Sequence, residues 1–216
     1  MRPRRHNVPT PDMRNPWLDE PEPVELPEAA APVEPRPATG PALPQRGVPV
    51  PDHVDRLRVI ERNLTPALWV VGAHGGAGES SVAALDADWA AADHAWPLIP
   101  NGATRVVLTA RTSAAGLRAA QNAATHWAAG LGAEVRLMGL VLIADAPGRL
   151  PRPLREYAQL VAGGVPRTWR LPWIEGWRLG EPPDPASSPR EVRKLLEDLT
   201  TLTFGATGTT TRKEHP

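Results

Sequence analysis

A chain of 216 residues with 24 basic and 24 acidic groups is long enough for a domain with a sizeable core, and carries no net field to draw it onto nucleic acid. It has no cysteine, which removes disulfides, thiolate catalysis and cysteine-bound metal centres. No apolar run approaches the roughly 20 residues that span a bilayer, and the basic start MRPRRH has no apolar segment behind it. No membrane span or leader is therefore read, and a cytoplasmic location is the expectation.

Residues 1–51 hold about half of the 27 prolines. Proline removes backbone donors and the stretch buries little apolar surface, so it reads as a disordered tail. Within it, Trp17 and Leu18 form an apolar island suited to docking on a partner. From Asp52 to about residue 204 the pattern is that of a folded domain, and residues 205–216 read as a polar tail.

DHVDRLRVIERNL predicts a short amphipathic helix, and LWVVG the first strand. Ser80 to about Asp93 predicts a helix that presents Val82, Leu85 and Trp89 on one face. Strand RVVLTA follows at 105–110. An alanine-rich helix comes next, with Ser113 as its cap and Gly130 beyond its end. VRLMGLVLIAD, apolar almost throughout, predicts a strand covered on both faces. LPRPLREYAQLVAGG reads as a helix and PRTWRLPW as a shorter strand. Ser188, Pro189, Arg190 and Glu191 spell a capping box before a helix whose stripe is Val192, Leu195, Leu196, Leu199 and Leu202. Strands alternating with helices predict a three-layer α/β domain with a mainly parallel sheet. Ligands of such sheets lie at the carboxyl ends of the strands, which places the loop after Val71, the Thr109–Ser113 turn and the Asp145–Gly148 turn on one rim.

The loop Ala73-His74-Gly75-Gly76-Ala77-Gly78-Glu79-Ser80-Ser81 resembles the deviant Walker A motif of the MinD/ParA class of P-loop ATPases, G-K-G-G-x-G-K-[ST]-[ST]. Gly75, Gly76, Gly78, Ser80 and Ser81 match it. Ala73 replaces the first glycine, His74 the signature lysine and Glu79 the phosphate-holding lysine. The resemblance extends more weakly to RVVLTARTSAAGLRAAQ, VRLMGLVLIAD and VPRTWRLPWIEGWRLGEPP. In that alignment the family's switch strands, between the loop helix and the late strand, are missing. LIADAPGRLP and RLPWIEGWRLGEPP are similar to an actinobacterial branch of unknown function, met beside mobile elements and secretion systems. The resemblance implies a truncated P-loop NTPase fold and a site made of His74, Gly75, Gly76, Ala77, Gly78, Glu79, Ser80 and Ser81. Arg111 is the nearest substitute for the missing lysine. Ser80 and Asp145 would hold Mg²⁺, Asp145 in the place of a Walker B aspartate or simply as turn chemistry.

Glycines in this pattern let successive N–H groups converge on an anion. Exchanging Lys⁺ for Glu⁻ reverses the charge beside that cradle; a unit pair at 4 Å is worth about 4 kcal/mol at an effective dielectric of 20. ATP and Mg²⁺ are therefore expected to bind weakly if at all, with Glu79 filling the cradle by its own carboxylate or the loop kept for packing. His74 would meet an anion only when protonated. The six histidines have no metal spacing, and no serine-hydrolase elbow occurs. Arg2, Arg4 and Arg5 are too few to make a nucleic-acid surface on their own. Trp169, Trp173 and Trp177 suggest an aromatic rim for a protein partner or a homodimer. The leading expectation is a catalytically degenerate MinD/ParA-like protein that acts through partners in plasmid or mobile-element maintenance, conjugation or secretion. An active ATPase with an atypical loop and a DNA-associated partition factor stand as alternatives.

Overall fold

A computed structural model describes residues 37–100, 102, 104–130 and 135–204. The polar tail at 205–216 and the pair Trp17 and Leu18 lie outside the described residues. The elements are β1 (Arg58–Glu61), β2 (Leu68–Gly72), α1 (Glu79–Ala83), β3 (Trp89–Ala91), β4 (Ala95–Leu98), β5 (Thr104–Arg111), α2 (Ala114–Ala128), β6 (Val135–Ile143), α3 (Arg152–Gly163), β7 (Thr168–Leu171), α4 (Glu175–Arg178) and α5 (Arg190–Phe204). Five strands make one parallel sheet in the order β3-β2-β5-β6-β7, while β1 and β4 form a separate parallel pair.

Strand alternation divides the core into two layers. Trp69, Val71, Val106, Leu108, Leu137 and Leu140 meet Leu117, Ala120, Trp127, Ala158 and Val161 of α2 and α3 on one face. Leu68, Val70, Val107, Met138 and Val141 meet Val82 of α1 and Val192, Leu195 and Leu199 of α5 on the other. Helices thus cover both faces, as expected for α/β chains of parallel strands. Among the described residues no helix is long and apolar enough to cross a membrane.

Several local expectations fail for identifiable reasons. The helix expected from Asp52 is a 3₁₀ turn at His53–Asp55 followed by β1, because Val59 and Ile60 pair with Trp96 and Pro97 of β4. The helix after the glycine loop stops at Ala83. There Asp86 Oδ1 accepts from the Asp88 N–H at 2.8 Å, a local turn bond that competes with continuing the helix. Val82, Leu85 and Trp89 still share one core, but from a helix, a turn and a strand. Two short strands that the sequence reading did not give, β3 and β4, lie between α1 and β5. Trp96 of β4 is fastened to α2 by its indole N–H, which donates to the buried His126 Nδ1 at 3.1 Å. Before α5, Ser188 Oγ donates to the Asp184 carbonyl at 2.7 Å, and the stripe of α5 packs as expected.

The domain also begins earlier than composition suggests. The N–H groups of Thr39 and Gln45 donate to Pro166 O at 2.9 Å and Ala128 O at 2.8 Å, and Val48 packs on the core. Residues 39–48, read as tail, form a strap over the ends of α2 and α3. Proline suits such a segment, since it is preset for extended chain and needs few backbone donors.

Candidate functional site

β3 lies to one side of β2 and β5 to the other, so the chain's crossovers diverge at the carboxyl end of β2. That divergence is where open parallel sheets form a crevice. The glycine loop at 73–78 occupies it, facing the end of β5. Gly78 starts α1 at φ +86°, and a Cβ there would lie 2.4 Å from Ile143 Cδ1, so only glycine fits. The structure therefore brings Gly75, Gly76, Ala77, Gly78, His74 and Arg111 together, as the motif implied.

Their polar groups are turned on one another. His74 Nε2 accepts the Arg111 N–H at 3.0 Å, and its Nδ1 lies 2.8 Å from Gly75 O. The tautomer protonated at Nδ1 satisfies both contacts, so the ring is a strut between loop and strand and not a cation offered to an anion. The Ala77 N–H already donates to His74 O at 3.2 Å. Arg111 donates through Nε to Gly76 O at 3.1 Å and through Nη1 to Ala144 O at 3.0 Å. Burial lowers the pKa of its guanidinium, which the Asp145 charge opposes and Arg178 reinforces. It nevertheless stays charged at any physiological pH.

Glu79 departs furthest from expectation. Its side chain is 6% exposed and does not serve the loop. Oε1 accepts the Ala92 N–H at 2.9 Å and the His94 N–H at 3.3 Å, and Oε2 lies 2.9 Å from His94 Nδ1. The idea that this carboxylate fills the anion cradle is thereby corrected: it holds the turn between β3 and β4. That turn is strained, with Asp93 at φ +57° and His94 at φ +54°, and Arg62 braces it from outside by donating to Asp93 Oδ2 at 3.1 Å. Gly72 makes room, since a Cβ there would stand 2.5 Å from His94 Nδ1. The Asp-His pair was the available sequence signal, because Asp and His are among the non-glycine residues enriched at positive φ.

Ser80 and Asp145 are exposed, Ser81 is half-buried on α1, and the Asp145 N–H donates to Thr112 Oγ1 at 3.2 Å. Among the described residues no three His, Asp or Glu side chains are grouped to hold a metal ion. The residues do not fit a Mg²⁺–triphosphate in the manner of the motif: its lysine position is a buried carboxylate committed to another turn, and α1 is a five-residue helix with little dipole to offer. At the aromatic segment, Trp169 is core and donates to buried Asp198 Oδ2 at 2.8 Å, which corrects its placement on a rim. Trp173 and Trp177 remain half-buried, the former donating to Glu175 Oε2 at 2.6 Å.

A family model described as a family of unknown function, DUF6668, matches residues 66–196, more than half of the chain. The chain belongs to that family. The matched span runs from two residues before β2 into α5 and contains the glycine loop, Arg111 and the Glu79–His94 contact. No curated protein and no solved structure matches the chain.

Proposed function

We propose that this DUF6668 protein is a catalytically degenerate relative of the MinD/ParA-like P-loop proteins that works by binding a partner. Plasmid or mobile-element maintenance, conjugation and secretion are the settings in which we place it. The observation that carries the reading is the commitment of Arg111, the residue expected to stand in for the lysine, to the carbonyls of Gly76 and Ala144. A guanidinium tied to the loop's own carbonyl stiffens the loop and is not free to bridge phosphates. The strand–loop–helix turn, the parallel sheet and the position of the loop at the sheet's crevice support descent from a phosphate-binding fold. The buried Glu79 supports loss of its chemistry.

Calorimetry with Mg-ATP on the full chain tests this. No saturable heat is expected at ligand concentrations up to the millimolar range, and Arg111→Gln should leave that result unchanged. Micromolar binding that disappears in Arg111→Gln would instead establish the ATPase reading, with the arginine released from its carbonyls to take the phosphates.

A further inference from the structure

Where β2 ends, its ladder with β5 closes on one last bond, the Ala73 N–H donating to Thr109 O at 2.9 Å. Two residues further along β5, the next donor on that side is the Arg111 N–H, and it faces the turn into the glycine loop instead of a strand. His74 Nε2 takes that donor at 3.0 Å. An imidazole nitrogen thus supplies the acceptor that a backbone carbonyl supplies elsewhere in the sheet. The first turn of α2 closes on it from another side, since a Cβ on Gly116 would stand 2.9 Å from Nε2. Nε2 is enclosed between β5 and α2, and turning the ring out requires the loop to move.

Such an acceptor holds only while it lacks a proton. Nδ1 already carries one towards Gly75 O, 2.8 Å away. A second proton has to enter on Nε2, where it would meet the Arg111 N–H, donor against donor. It would also add positive charge to a loop whose Gly76 O is held by the Arg111 guanidinium at 3.1 Å. The charged groups around the pair do not offset this. Asp145 and Arg178 act on Arg111 with opposite signs. The first turn of α2 has no acidic residue, and the first charged side chain of that helix is the exposed Arg118. Glu79, at the start of α1, is turned to Ala92 and His94. Among the described residues, no carboxylate is hydrogen-bonded to the His74 ring, whose partners are Arg111 and Gly75. The loop has room to respond, because Gly75 and Gly76 are exposed and a Cβ on either would meet nothing within 4 Å.

We propose that His74 is a proton-operated latch on the glycine loop: neutral, it locks the loop to β5, and protonated, it lets the loop go at the carboxyl rim of the sheet. The sign follows from the bond. The loop is closed while the pH lies above the titration of His74 and opens as the pH falls through it. What the crevice presents to a partner then depends on one proton. The latch needs neither a nucleotide nor the descent proposed above, and it stands or falls apart from them.

The test is NMR of the full-length chain, with no ligand added, titrated from about pH 7.5 to about pH 5.5. At the upper end the His74 ring should carry its proton on Nδ1 alone. As the pH falls, the amide resonances of Gly75, Gly76 and Gly78 should move with the midpoint of the His74 ring. The Arg111 N–H should exchange about tenfold faster at the lower end, once the intrinsic pH dependence of exchange is removed, as loss of one hydrogen bond implies. The amides of Val107 and Leu140, buried in the sheet, report opening of the whole fold and should keep their protection. His74→Gln offers an acceptor that does not titrate, so in that variant Arg111 should stay protected and the glycine resonances still. The proposal is overturned if Arg111 exchange is the same at both ends, or if the glycines follow the midpoint of His94 or His126. It is also overturned if they titrate unaltered in His74→Gln, or if Val107 and Leu140 lose protection in step with Arg111. Were His74→Gln not to fold, the midpoints and exchange of the unmutated chain would still decide.

Discussion

Restoring the motif's lysine should damage the protein. In Glu79→Lys the acceptor of the His94 N–H is lost, and an ammonium replaces the carboxylate that lies 2.9 Å from the His94 ring nitrogen. Ala92 is spared in part, because its N–H also donates to Val70 O at 2.9 Å. Leaving a buried donor unmatched costs about 1–3 kcal/mol, and placing an uncompensated charge in a buried position costs more. A lysine stem can reach towards water, which holds the loss to about 2–4 kcal/mol. Domains of this size hold only about 5–15 kcal/mol in all. With a urea m-value of about 1–3 kcal/mol/M, the unfolding midpoint should fall by about 1–3 M at unchanged slope. Glu79→Gln keeps an acceptor oxygen and should lose about 1 kcal/mol. If Glu79→Lys unfolded at the same urea concentration as the unmutated chain and gained affinity for Mg-ATP, the structural role argued for this carboxylate would be refuted.

Two further perturbations probe the frame around the site. His126 is buried, and burial, with a contribution from Arg56, lowers its pKa below the usual value. A lowered base pKa means the unfolded chain takes up the proton first, so stability should be full above about pH 6.5 and decline as the pH falls below it. His126→Gln, which keeps an acceptor for Trp96, should flatten that decline in urea midpoints measured from pH 7.5 to 5; an unchanged slope would show that other groups cause it. Compared with truncation before residue 37, truncation before residue 52 removes Val48 from the core and the Thr39 and Gln45 bonds, which should cost about 2–3 kcal/mol. Equal midpoints for the two truncations would mean that the strap contributes nothing.

The long elements were legible because each repeats a physical signal. β5 and β6 are apolar runs that only a doubly covered strand would show, and α2, α3 and α5 carry stripes at helical spacing. Ser113 caps α2 as read, accepting the Gly116 N–H at 3.1 Å. The short strands β1, β3 and β4, of 4, 3 and 4 residues, are too brief for a period to emerge. They exist because a neighbouring strand supplies their hydrogen bonds. The strap at 39–48 was hidden for the same reason, since proline content reports the absence of helix and ladder but not the presence of a surface to lie on.

The glycine pattern by itself determined a tight turn between a strand and a helix at the carboxyl edge of a parallel sheet, since Gly76 and Gly78 take left-handed backbone angles that glycine adopts most readily. What Glu79, His74 and Arg111 do there was decided by tertiary structure alone. Each of these side chains reaches a partner 13 to 37 residues away, and a charge's meaning depends on what stands opposite it. The residue that looked like a lost lysine is the acceptor around which the β3–β4 turn is folded.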